Sequence, residues 1–200
     1  YAAFDTARLT HVAHAPKTGD AVTRIISPPT FDTAISEISG WRGYAPTPLI
    51  NLTGLAQDLS LAAVFYKDEG PRFGLGSFKA LGAAYAALRV LQREIGARLG
   101  RPVTFAEIRD GGLKHEAARI TLASATDGNH GRSLAWGCQR FGAPCRIYIH
   151  AEVSEGRAEA MRAFGADVIR IDGDYDASVD LCRAEAEANG WFVVSDTSWP

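Results

Sequence analysis

No stretch of this sequence is long and apolar enough to span a bilayer, and its opening residues lack the basic-then-apolar pattern of a secretory signal. An excess of either charge is missing too. The 21 basic and 23 acidic residues are interspersed and leave a formal charge of -2, which gives no electrostatic reason to expect nucleic acid or a membrane as partner. Cysteine is scarce: Cys138, Cys145 and Cys182 show no CxxC spacing, and each falls in an apolar helix-like or strand-like stretch. That is the pattern of buried, reduced thiols in a cytoplasmic protein. His11, His14, His115 and His150 share no metal-ligand spacing with one another or with the cysteines, so no protein-bound transition metal is expected. There is no GxSxG elbow, which argues against an α/β-hydrolase, and neither GxGxxG nor a Walker lysine supports nucleotide binding.

What is present is a soluble globular pattern: 200 residues, 46% apolar, enough for one ordinary domain or two small ones. Tyr1 is not a methionine and Pro200 directly follows a strand-like run, so a longer parent is expected. Residues 1–45 carry several prolines and little periodicity and read as an N-terminal arm over the rest, with Pro28 and Pro29 breaking the chain before a helical run at 31–38. The two prolines of the segment at 44–49 imply an extended connection, and 59–67 reads as a short strand.

Residues 72–87, RFGLGSFKALGAAYAA, are the stretch around which the chain is organised. A glycine turn leads to Ser77, the expected N-cap, and then to a helix whose Leu81, Ala84, Tyr85, Leu88, Leu91 and Ile95 recur every three or four residues. Lys79 then falls in the first turn, at the positive end of the helix dipole, where an ammonium is disfavoured and a neutral amine is easier to obtain. Such a lysine is a candidate Schiff-base nucleophile where the surroundings also remove water; taken alone, it fits better a helix start that happens to carry a lysine.

A polar segment at 98–119, with a short helix at Phe105–Arg109, separates this helix from a regular alternation. Strands are expected at 120–123, 145–150, 168–171 and 191–195, with helices at 129–141, 155–164 and 178–189 between them. Gly142, Gly165 and Gly190 stand where the helices should stop. This rhythm predicts an α/β fold, a parallel sheet with helices on both faces.

The segment SATDGNHG, 124–131, joins a strand to a helix, the place where parallel sheets bind ligands. It offers Asp127 as a base and Asn129 as a hydrogen-bond partner, or else a tight turn built from Asp, Gly and Asn. His130 is expected to cap its helix or pack on its own strand. Asp196 closes the last strand and either faces the same crevice or terminates the strand in a turn. Asp172, Asp174 and Asp176 are expected to cap the following helix and sit in solvent.

Together these motifs resemble the fold type II, tryptophan synthase β-like, family of pyridoxal phosphate enzymes. Ser77-Phe78-Lys79 after a glycine turn matches its cofactor-lysine motif, Thr47-Pro48-Leu49 its Thr-Pro-Leu segment, and EGRAEAMRAFGADV at 155–168 its helix and strand ending in Gly-Ala-Asp-Val. Within the family, RFGLGSFKALGAAYA, TDGNHGR and the terminal DTSW are similar to the diaminopropionate ammonia-lyases. The resemblance implies a lyase that eliminates ammonia from D- and L-2,3-diaminopropionate to leave pyruvate. Lys79 would hold pyridoxal 5'-phosphate and move protons at Cα. Phe78 would pack near the ring, Asn129 would bond its 3-oxygen, Asp127 would be the second acid/base, and Asp196 would hold or polarise the substrate amine. A homodimer is also implied. The domains expected are the N-terminal part of the large domain at 1–99, a small Rossmann-like domain at 100–195 and the return to the large domain at 196–200. The family's phosphate loop and pyridine-nitrogen partner belong to a carboxyl-terminal half that this stretch does not reach. Alternatives are a serine/threonine dehydratase on the same fold, or a non-catalytic α/β domain.

Overall fold

Two prolines open the first helix, α1 (Pro28–Ser39), rather than breaking the chain ahead of it. At the start of a helix a proline loses no hydrogen bond and its fixed φ suits the turn, and the Ser27 hydroxyl accepts from the Thr30 amide at 3.4 Å. The computed structural model describes Arg24 and residues 27–197 and divides into two units, Tyr1–Ser36 and Glu37–Pro200. The arm expected over 1–45 thus lies outside the described residues as far as 23, as do His11, His14, Ser198 and Trp199.

In the second unit, β1 (Leu49–Asn51) and β2 (Phe65–Lys67) pair antiparallel, with Ile50 opposite Tyr66, and α2 (Thr53–Asp58) lies between them. The strand expected over 59–67 is therefore shorter. Its first residues finish α2 instead: the Leu59 amide bonds back to Leu55 at 3.0 Å and that of Leu61 to Ala56 at 2.9 Å. The Thr47 segment is tied to the glycine-turn segment by Arg72, which is buried at 6% exposure. Its guanidinium donates twice to Glu69, at 2.8 and 2.9 Å, to the Thr47 hydroxyl at 3.1 Å and to the Ala45 carbonyl at 3.0 Å. The Arg72 hydrogen bonds outweigh burial and, with the Thr47 hydroxyl, hold the Glu69 carboxyl down at about 2, against an ordinary 4.5. A depressed carboxyl stabilises the fold above its unfolded pKa and loses that contribution as pH falls through the folded one. Glu69→Gln is therefore expected to cost about 2 kcal/mol near neutrality, from charge-assisted hydrogen bonds lost at a buried Arg. In melting curves, the gap between wild type and variant should close between pH 4.5 and about 2. A gap independent of pH would refute it.

Helix α3 (Lys79–Leu99) buries Ala84, Leu88, Leu91 and Ile95, with Leu81 and Tyr85 half-buried. Phe78, not Ser77, occupies its cap position, and the Ser77 hydroxyl is buried without a partner. The preceding turn explains the shift. Gly74 and Gly76 both adopt left-handed φ, 71° and 75°, and the Leu81 amide closes onto the Phe78 carbonyl at 3.0 Å. The short α4 (Phe105–Arg109) starts with a reciprocal cap between Thr104 and Glu107, and an unforeseen α5 (Lys114–Ala117) follows.

The alternation then runs β3 (Leu122–Ala125), α6 (Asn129–Phe141), β4 (Cys145–Ile149), α7 (Glu155–Arg162), β5 (Asp167–Arg170), α8 (Tyr175–Asn189) and β6 (Phe192–Val193). All pairings are parallel, in the order β5-β4-β3-β6. The first strand begins two residues later than expected, because the Ile120 amide closes a turn onto Ala117 at 3.0 Å. The last helix begins earlier, at an Asp174 cap that accepts from Ala177 at 2.9 Å. Strand alternation sorts the two faces: Leu122, Cys145, Ile147 and Ile149 enter the core shared with α3 and α6, while Ala123, Ala125 and Tyr148 pack with Cys182 of α8. All three cysteines are free and buried. Burial, with Glu185 nearby, pushes the Cys182 thiol up to about 12, so it is inert as a nucleophile.

Candidate functional site

The chain leaves β3 toward β4 on one side, and β6 returns to pair with β3 on the other. Such a reversal opens a crevice at the carboxyl ends of the two strands. There the loop after β3 carries Thr126, Asp127 and Gly128, α6 begins with Asn129 and His130, and β6 leads to Val194 and Asp196. The Thr126 hydroxyl accepts from the amides of Gly128 at 3.2 Å and Gly131 at 3.3 Å, which fixes the loop and leaves the amides of Asn129 and His130 without a partner among the described residues. A cleft of about 430 Å3 results, lined by Lys79, Asp127, Asn129 and Asp196 together with Thr126, His130, Arg157 and Tyr175.

Lys79 donates to Asp196 Oδ2, the two side chains being 32% and 29% exposed. Burial acts to raise the Asp196 carboxyl, but the Lys79 hydrogen bond, the neighbouring His130 and the Lys79 charge outweigh it and hold it below the usual range. His130 does not cap a helix. It is buried at 6% exposure and donates Nε2–H to the Val194 carbonyl at 2.8 Å, with Nδ1 3.6 Å from Asp196 Oδ2. One buried ring thus ties α6 to the end of β6 and stands beside the carboxylate. Asp127 meets His150 Nε2 at 3.1 Å. Asn129 projects an exposed side chain with no hydrogen bond among the described residues. Phe78 is 57% exposed, lies outside this cleft, and lines an adjoining hollow that shares Lys79 and Asp196; its ring centre is 5.4 Å from Lys79 Nζ. No group of three or more potential ligand side chains is placed to hold a metal among the described residues.

A sequence model described as pyridoxal-phosphate dependent enzyme matches residues 41–200. The chain belongs to this family. It is 37% identical over 156 residues to the diaminopropionate ammonia-lyase of Salmonella typhimurium strain LT2, covering 78% of this chain and 38% of that protein. Identity is also 37%, over 157 residues, to the diaminopropionate ammonia-lyase of Escherichia coli strain K12, with the same coverages. The chain thus spans 38% of the length of these curated relatives. Among solved structures, it superposes on the apo form of the Escherichia coli diaminopropionate ammonia lyase with a TM-score of 0.73 at 34% identity, over 84% of this chain and 43% of that one. The same enzyme in complex with an aminoacrylate-PLP azomethine reaction intermediate gives 0.74 at 34% identity, over 86% and 42%. The fold is that of these type II enzymes: an α/β parallel sheet with helices on both faces.

For a pyridoxal-phosphate dependent enzyme the donor set on the cleft fits the ring end of the cofactor. Among the described residues it presents one lysine amine, a carboxamide and two helix amides without hydrogen-bond partners, in a space of ligand size. The sequence gives no chemical signal for Arg157, one of several arginines along 155–170, or for Tyr175, which lies in no motif. Arg157 reaches the site because Gly128 leaves room: a Cβ there would lie 3.2 Å from Arg157 Cδ, and Arg157 Nη1 donates to the Asp127 carbonyl at 3.3 Å.

Proposed function

We propose that the full-length protein is an ammonia-lyase that converts D- and L-2,3-diaminopropionate to pyruvate and ammonia with pyridoxal 5'-phosphate. The observation that carries this is the meeting of Lys79 and Asp196, residues 117 apart in sequence, on a cleft also lined by Asp127 and Asn129. Lys79 would hold the cofactor through its amine, and the Asn129 carboxamide would hydrogen-bond its ring. Bound there, the cofactor supplies an electron sink for the pair left at Cα when its proton departs. Lys79 takes the Cα proton from one isomer and Asp127 from the other. Asp196, between Lys79 and His130, holds or polarises the substrate's amino group, and a protonated side chain must reach the β-amine, a poor leaving group until it gains a proton. The proposal extends to a cytoplasmic homodimer and to the domain division at 99 and 195; no helix among the described residues is long and apolar enough to cross a membrane.

The test is pyruvate release by the full-length protein from each isomer of 2,3-diaminopropionate and from D- and L-serine and threonine. Release from diaminopropionate at the higher kcat/KM is expected. Faster turnover of the hydroxyamino acids, unharmed by Asp127→Asn, would replace this reading with a serine/threonine dehydratase. No product from any of them would remove both.

A further inference from the structure

Two clefts meet at Asp127. The outer one, of about 590 Å3, is lined by His150, Glu152, Asp172 and Asp174, and shares Asp127 and Tyr175 with the inner one. His150 follows the last residue of β4, is 16% exposed, and reaches Asp127 from this outer side. Its Nε2 lies 3.1 Å from Asp127 Oδ1, and the Glu152 amide points at its Nδ1 from 3.4 Å. An amide N–H can only donate. Nδ1 is therefore the bare nitrogen, and the ring proton sits on Nε2, directed at the carboxylate.

That bond answers a need of the loop. The Asp127 side chain is 63% exposed and makes no other hydrogen bond among the described residues, so this bond is the one polar restraint on its rotamer there. The hydrogen bond from Arg157 goes to its backbone carbonyl. An unrestrained carboxylate is a poor acid/base, because proton transfer depends on holding the reacting atoms in line. Building on the lyase reading above, we infer that His150 is the positioning residue of Asp127: it engages Oδ1 and leaves Oδ2 to take the Cα proton of one substrate isomer.

The role is separable from folding because it concerns one isomer only. In the full-length holoenzyme, His150→Phe should lower kcat for one isomer of 2,3-diaminopropionate by about tenfold or more, leave the other within about twofold, and His150→Gln, which keeps a side-chain N–H, should restore most of the loss. Equal losses for both isomers would overturn the role. Long-range proton–nitrogen NMR of the histidine rings supplies a readout independent of turnover: His150 should carry its proton on Nε2, and Asp127→Asn should move that nitrogen's resonance. A proton on Nδ1, or a resonance indifferent to Asp127→Asn, would overturn the pairing. A wild type that releases no pyruvate from either isomer removes the lyase reading alone, and the NMR result then decides the pairing.

Discussion

Lys79→Ala is expected to lower elimination by at least about a thousandfold, since no other amine among the described residues lines the cleft to form the covalent bond. Arginine separates chemistry from structure. Lys79→Arg keeps a cation opposite Asp196, so the tie between α3 and the end of β6 survives and melting should change little. A guanidinium cannot be deprotonated in a protein, however, and cannot attack a carbonyl, so this variant should be as inactive as alanine. Borohydride reduction of the full-length holoenzyme followed by peptide mapping gives the direct measurement. The label should appear on Lys79 in wild type and on no peptide in either variant. Label on another lysine would remove Lys79 from its role.

Gly137→Val is expected to destabilise the fold by about 3 kcal/mol, the upper range for forcing carbon into a filled core. The cause lies where α3 crosses α6: a Cβ at Gly137 would stand 2.8 Å from Ala84 Cα and 2.9 Å from Ala84 Cβ. The first of these is backbone and cannot swing aside. Gly137→Ala sets two effects against each other, since alanine gains about 1 kcal/mol of helix propensity while the overlap costs about 1 to 3. The overlap wins, and a net loss is expected. Gly156 in α7 provides the contrast, because a Cβ there meets nothing within 4 Å. Gly156→Ala should be neutral or stabilising by up to about 1 kcal/mol. Chemical denaturation of the three variants checks the order, and a Gly137→Ala protein as stable as Gly156→Ala would show that the helices can part.

Elements whose ends are written in side chains were legible. Helix Asn129–Phe141 stops at Gly142, which takes a left-handed φ of 84°, and Phe105–Arg109 starts where Thr104 and Glu107 cap each other. Ser77 misled because a serine before a helical run is a good cap by type, whereas the two glycine turns ahead of it bring Phe78 to that position. The antiparallel pairing of Leu49–Asn51 with Phe65–Lys67 escaped as well, since each strand is three residues long, too short for alternation to show. The site divides the same way. Lys79, Asp127, Asn129 and Asp196 stood in motifs, but that one cleft gathers them depends on β6 pairing with β3, a choice made by tertiary packing. Arg157, Tyr175 and the bond from His150 to Asp127 depend on that packing too.

The contact between Lys79 and Asp196 also bears on the order in which the cleft is assembled. Closing a loop of 117 residues adds little to the equilibrium cost, because the entropy grows only with the logarithm of loop length. It weighs instead on the rate, since contacts distant in sequence form slowly. Helices α3 and α6 can cross as soon as both exist, whereas the acid partner of Lys79 arrives only with β6. During synthesis, a ribosome that has made residues 1–190 has delivered the amine, the loop and most of the core. Residue 196 is still to come, and until it docks the nascent chain carries the Lys79 amine without the carboxylate that holds it.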